Sequence, residues 1–183
     1  MSREILVVPY DDSWNKMYEK EKILLSSIFG NLIIDIQHFG STAVKGLSAK
    51  PIIDIMIVVD DIMQIDVFNS ILKQYEYTAR GENGIVGRRY FVKSNQDYID
   101  VHTHHLHIYQ KGSAHISDEL IFRDYLQINN EALMEYESVK IEASLKYRYS
   151  PKEYVEAKTD CVAYIMDKAK DYYANIDESL YSV

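Results

Sequence analysis

The chain has 183 residues (21.3 kDa), 47% hydrophobic and 26% charged, with 7 Gly and 3 Pro, which suits a folded domain with a sizeable core and excludes a disordered or fibrous chain. Lys and Arg number 20 against 28 Asp and Glu, giving a net charge of −8 and a pI near 5.2. A field of that sign disfavours duplex nucleic acid and anionic membranes, yet it leaves room for a local basic cleft that takes a phosphorylated small molecule.

Cys161, the single cysteine, excludes an internal disulfide framework and a Cys-based zinc site. No apolar run approaches the roughly 20 residues of a membrane span. Residues 1–10 lack the basic start, apolar stretch and cleavage site of a signal peptide. The expected compartment is the cytoplasm.

Apolar side chains at Trp14, Met17, Leu24, Leu25, Ile28 and Phe29, with Asp12 or Ser13 as cap and Gly30 as stop, predict a helix over 13–29. Residues 33–39 predict a strand, and Gly40-Ser41-Thr42-Ala43 a turn that opens a short helix. The run PIIDIMIVV predicts a strand over 52–59 covered on both faces. Spacing through Ile65, Phe68, Ile71, Leu72 and Tyr75 predicts a helix over 62–75, followed by a turn at Gly81-Glu82-Asn83-Gly84. Segments 85–93 and 98–109 read as a hairpin joined by Ser94-Asn95-Gln96-Asp97.

Everything from residue 117 reads as helical, with helices over 118–129 and 131–148. A third starts at Ser150, with Pro151 at the first helical position and Glu153 completing a capping box. The predicted architecture is mixed α/β. A sheet with flanking helices occupies residues 1–115, and a helical subdomain, residues 116–183, packs on it as one structural unit.

Gly40 and Ser41 offer backbone N–H groups and a hydroxyl suited to a phosphate. Asp54 follows, embedded among isoleucines. A carboxylate there is costly unless it holds a metal or meets a cation; it also reads as a strand-end acid paired with Lys50 or an arginine. In the segment DVHTHHLHIY, strand alternation puts Thr103, His105, His107 and Tyr109 on one face. Asp100, His102, His104, Leu106 and Ile108 take the other. His105 and His107 thus form a pair spaced for a metal or a phosphate, or simply hydrogen-bonded strand histidines.

The basic residues Lys50, Arg80, Arg88, Arg89, Lys93, Arg123, Lys140 and Lys158 are expected mostly on solvated surface. Tyr154 and Lys158 share a helix face, continued by Cys161 and Ile165, with Cys161 as core filler. A hydrolase with Ser41 attacking lacks the nucleophile-elbow signature.

Residues 38–55 (HFGSTAVKGLSAKPIIDI), 87–91 (GRRYF), 104–107 (HHLH), 122–126 (FRDYL) and 154–158 (YVEAK) together resemble the signature blocks of the GrpB family. The resemblance covers about residues 8–170 and implies a nucleotidyltransferase-like fold, the polymerase-β-like palm. Relatives occur fused to dephospho-coenzyme A kinase. The superfamily pattern is Gly-Ser at a helix start, two carboxylates one residue apart on the next strand, and a third on a neighbouring strand. These hold two Mg²⁺ ions that bridge a triphosphate and activate the attacking hydroxyl.

Gly40, Ser41 and Asp54 match that pattern, whereas Met56 stands at the second acid position and cannot bind Mg²⁺. Asp100 would be the third acid, or His105 and His107 would replace it and favour Mn²⁺ or Zn²⁺ over Mg²⁺. The implied protein is nucleotidyltransferase-like and acts on a nucleotide or other phosphorylated small molecule. Asp54 would be catalytic, and Asp54, His105 and His107 would hold a divalent ion (Mg²⁺, Mn²⁺ or Zn²⁺). Gly40, Ser41, Lys50, Arg88, Arg123, Tyr154 and Lys158 would bind phosphate. The group should line one cleft roofed by the C-terminal helices, with Asp54 within about 12 Å of the histidine pair. Met56 speaks for the competing expectation, a catalytically inactive nucleotide- or metabolite-binding or interaction module.

Overall fold

In the computed structural model, which describes residues 4–94 and 101–174, the first apolar stripe forms helix α1 (Ser13–Phe29). It ends at Gly30, whose φ of 53° favours a residue without a side chain. The strands are β1 (Ile33–Phe39), β2 (Ile53–Val59), β3 (Tyr77–Ala79), β4 (Arg89–Ser94) and β5 (His102–Gln110). They form one mixed sheet in the order β1-β2-β5-β4-β3. β2 and β5 run parallel; the other neighbours are antiparallel.

The antiparallel β4–β5 pair is the expected hairpin, while its connection, residues 95–100 with Asp100, lies outside the described residues. β4 starts four residues later than the sequence suggests, at Arg89 rather than 85. Gly84 and Gly87, with φ of 84° and 81°, keep the chain in turns up to that point.

β2 is the centre of the molecule. Ile53, Ile55 and Ile57 join Leu106 and Ile108 of β5 against Trp14, Leu25 and Phe29 of α1. Met56 and Val58 project from the other face with Phe39 and Tyr109, and meet Ile116 and Leu120. Ile53, Ile55, Met56, Ile57 and Val58 are all 0% exposed, and each such side chain contributes about 1.5–3 kcal/mol by leaving water.

The expected helix over 62–75 is split into a 3-10 segment, Ile62–Phe68, and α2 (Asn69–Gln74). Ile62, Ile65 and Phe68 recur every third residue, a repeat that a three-residue turn aligns on one face. The C-terminal part folds as α3 (Ala114–Ile128), α4 (Asn130–Lys146), α5 (Pro151–Glu156) and α6 (Thr159–Ala174). The helix expected from Ser150 therefore breaks after one short segment. A tight bond from Lys158 N to Val155 O (3.2 Å) closes the break. The Ser150 side chain makes no cap; its carbonyl accepts from Tyr154 N at 3.0 Å.

Val44 and Leu47 pack against Tyr125, Leu126, Tyr136 and Ile165, so the helices cover the segment between β1 and β2. Ile5 packs on Ala143 and Tyr154. No described helix is long and apolar enough to cross a membrane.

Candidate functional site

The register of β2 builds the centre of the site. Asp54 pairs with Phe39 across β1 and with His105 across β5. The residue after Phe39 therefore lies against its carboxylate. A Cβ on Gly40 would stand 2.5 Å from Asp54 Oδ2, and Gly40 has a φ of 69°, so only glycine fits. His105 Nδ1 lies 3.1 Å from Asp54 Oδ1, and His107 Nε2 lies 3.8 Å from the same oxygen. Behind them, His102 Nδ1 stands 3.1 Å from His105 Nε2. These separations are far inside the 12 Å expectation.

The carboxylate opens into a cavity of about 490 Å³. Gly40, Ser41, Asp54, His105 and His107 form the sheet side. Arg88 and Tyr90 flank it, and Lys50, Glu119, Tyr136, Lys140, Tyr154 and Lys158 complete the walls. Arg123 lies outside this cavity and lines an adjoining one of about 200 Å³ that shares Gly40, Ser41, Glu119 and Tyr136 with it. It reaches β1, donating to Gln37 Oε1 (3.2 Å) and His38 O (2.8 Å) and pairing with Asp124 (2.6 Å). One helical turn beyond Glu119 on α3, its guanidinium braces the strand.

The electrostatics of the walls are unusual for so acidic a chain. Burial opposes ionisation of Asp54, but the His105 hydrogen bond and the nearby His105, His107 and Lys50 outweigh it and hold the carboxyl below its ordinary value. His107 is pushed down to about 3 by burial, against the pull of Asp54. Lys140 is lowered to about 7 by burial and then by Lys158 and Lys50. Lys158 is lowered to about 8 by burial and then by Lys50. Lys50 and Lys158 both lie over the Tyr154 ring, at 5.1 and 4.5 Å, and Lys140 lies 4.7 Å over Tyr136. Glu119 is raised to about 7 by burial and then by Asp54.

Sequence reasoning missed Glu119, Tyr90 and Tyr136 and left Lys140 among solvated cations. Helical spacing carries the missing signal. Glu119 falls on the face of buried Ile116 and Leu120, and Lys140 lies between buried Tyr136 and Ala143. A charged residue on the buried stripe of an otherwise amphipathic helix marks either an internal pair, as at Glu21 of α1, or a cavity wall, as at Glu119 and Lys140.

Asp54, His105 and His107 place three donor atoms within 4.8 Å of one another, close enough for one divalent ion to bridge. A pair of Mg²⁺ ions on the superfamily pattern does not fit. The second acid position is Met56, fully buried beneath Ile116 and Leu120. For an ion to sit on His105 Nδ1, the proton that Nδ1 donates to Asp54 has to move to Nε2, where an imidazole nitrogen of His102 stands 3.1 Å away to accept from it.

The chain matches the GrpB protein family over residues 4–168. It is 36% identical to the UPF0157 protein YqkA of Bacillus subtilis over 92% of its length but spans only 48% of that relative. It is 35% identical to the glutamate-rich protein GrpB of Alkalihalophilus pseudofirmus, covering 90% of this chain and 95% of the relative.

The crystal structure of the conserved protein GrpB from Enterococcus faecalis superposes with a TM-score of 0.86 at 31% identity, covering 93% of this chain and 100% of that one. Cid1 in complex with its short product ApU superposes with a TM-score of 0.51 at 14% identity, over 73% of this chain and 42% of that one. The Cid1 poly(U) polymerase with MgGTP bound gives 0.51 at 14% identity, over 77% and 45%. The Cid1 likeness concerns the fold alone, that of the nucleotidyltransferases, whereas matched motifs, sequence identity and near-complete structural overlap agree on the closer kinship: the chain belongs to the GrpB family.

Proposed function

We propose that the cavity binds the phosphates of a nucleotide or another phosphorylated small molecule, in the manner of a nucleotidyltransferase-like protein. One observation carries this reading. Lys50, Lys140 and Lys158 converge on one cavity of a chain whose net charge is −8; beyond the effect of burial, Lys158 and Lys50 lower the proton affinity of Lys140, and Lys50 lowers that of Lys158. Such crowding is unfavourable until a polyanion lies between the ammonium groups. Gly40 and Ser41 border the same space, Arg88 adds a fixed positive charge, and Tyr154 holds two of the lysine heads.

Asp54 is the carboxylate on which transfer would centre. A divalent ion, Mg²⁺, Mn²⁺ or Zn²⁺, would rest on Asp54 and His105, with ligand phosphates completing its shell, and would supply charge neutralisation. The second reading, a binding module without turnover, is favoured by Met56 at the second acid position.

Calorimetry with pyrophosphate and inorganic triphosphate tests the anion site. Binding raises the proton affinity of Lys140 and Lys158, so at pH 8 it should take up protons, and affinity should fall as pH rises beyond 8. Lys158→Met should weaken binding roughly tenfold or more. Failure of both anions to bind removes the reading. A screen of labelled nucleoside triphosphates with each ion then separates the two classes. Turnover abolished by Asp54→Asn supports transfer, and binding without turnover supports the module.

A further inference from the structure

We infer that Asp54 and His107 together form a subsite for a ligand hydroxyl, rather than belonging to a metal site of three protein donors; the inference rests on the phosphate reading above and adds a second feature to the same ligand. The decisive contact is on the far side of the imidazole. Arg88 Nη1 stands 3.2 Å from His107 Nδ1. A guanidinium has donors and no acceptor, so Nδ1 is the accepting nitrogen and the ring proton resides on Nε2. Arg88 is not free to turn away. It is 5% exposed and donates to the carbonyl oxygens of Glu82 (3.2 Å) and Asn83 (2.8 Å).

His107 Nε2–H is buried and has no hydrogen-bond partner among the described residues. It faces Asp54 Oδ1 at 3.8 Å, too long for a direct bond. An imidazole that binds an ion through Nε2 must carry its proton on Nδ1. Here that would set two N–H donors against each other, at Arg88 and at His107. Proximity admits His107 as a third ligand; its tautomer does not.

A group lying between Nε2–H and the carboxylate has to accept from one and donate to the other. An oxygen about 2.8 Å from each closes the gap with a near-right angle at that oxygen. A hydroxyl meets both demands. A phosphoryl or carbonyl oxygen only accepts and would face the charge of Asp54 without a proton to offer. The cavity thus holds a lysine wall for phosphate and, on the sheet side, an oxygen site selective for an alcohol.

The experiment uses the full chain, nitrogen-15 NMR of the imidazoles, and two phosphate monoesters of equal charge, glycerol 3-phosphate and propyl phosphate, with pyrophosphate as control. The expected results are the Nε2–H tautomer for His107 and at least about tenfold tighter binding of the glycerol ester. His107→Ala should erase that preference, and His107→Gln, whose amide still donates, should retain part of it. An Nδ1–H tautomer, or no preference between the esters while pyrophosphate binds, overturns the hydroxyl subsite alone. So does Zn²⁺ binding that collapses in His107→Ala as far as in His105→Ala. Failure of pyrophosphate to bind overturns the phosphate reading, and the subsite with it.

Discussion

Two polar groups occupy opposite faces of the same sheet, and both combine a carboxylate, histidine and a cation. On the α1 face, Glu21 takes two bonds from Lys93 Nζ, at 2.7 and 2.9 Å, and one from the Tyr77 hydroxyl at 2.9 Å, with His104 Nε2 3.9 Å away. The Glu21 side chain is 5% exposed. On the other face, Asp54 has one imidazole at hydrogen-bond distance, its side chain is 26% exposed, and the buried Nε2 of His107 nearby has no partner among the described residues. In the first group the carboxylate is fully paired and serves the fold, although His104 Nε2 beside it is buried without a hydrogen-bond partner among the described residues. The second is open, and its unsatisfied groups point into a cavity. Residue chemistry does not separate them; the pairing of the carboxylate and its opening to a cavity do.

Breaking the Glu21 group should have the largest effect on stability. Glu21→Ala leaves Lys93 and Tyr77 facing a buried gap and should cost about 3 kcal/mol, a fall in Tm of roughly 6–12 °C by calorimetry. Gly40→Ala comes next, at about 1–3 kcal/mol for a side chain at positive φ pressed on Asp54. It should also displace the carboxylate and weaken ligand binding, so one variant reads both stability and site.

Glu119 gives a smaller effect whose sign depends on pH. Its folded value of about 7 lies above the ordinary 4.5, so between those values the folded chain holds a proton that the unfolded chain has released. Stability therefore falls as pH rises from about 4.5 to 7. Glu119→Gln should raise Tm at pH 8 and leave it unchanged near pH 4, as thermal melts at the two pH values would show. Asp54→Asn should have the smallest effect on folding, less than about 1 kcal/mol near neutral pH. A Tm loss as large as that of Glu21→Ala would place Asp54 with the Glu21 group and erase the contrast.

Much of this contrast was already legible in the chain. The alternation in β5 separates His105, His107 and Tyr109 from His104, Leu106 and Ile108, and the structure keeps these on the two faces assigned, whereas His102, assigned away from His105, meets its ring where the β4–β5 register slips. Helix α1 ends at Gly30, and the β4–β5 hairpin forms as expected. These features rest on local period and turn chemistry, which neighbouring residues dictate. The fates of Arg123 and Glu119 were not legible. They lie four residues apart on α3, yet one braces β1 and the other enters the cavity.

By itself, then, the sequence determined α1, the four longer strands, most of their two-faced pattern, the glycine and aspartate of the site and membership of a recognisable family, but not strand β3 or the breaks in the helices after residues 62 and 150. Only the tertiary structure decided that β2 and β5 run parallel in the register that sets Asp54 beside His105. It also decided that α3 seals Met56, and that Arg88 stands 3.2 Å from Nδ1 of His107. The reason is physical. Periodicity is a property of a few consecutive residues, whereas register, cavity walls and proton positions depend on contacts between segments that the chain brings together only on folding.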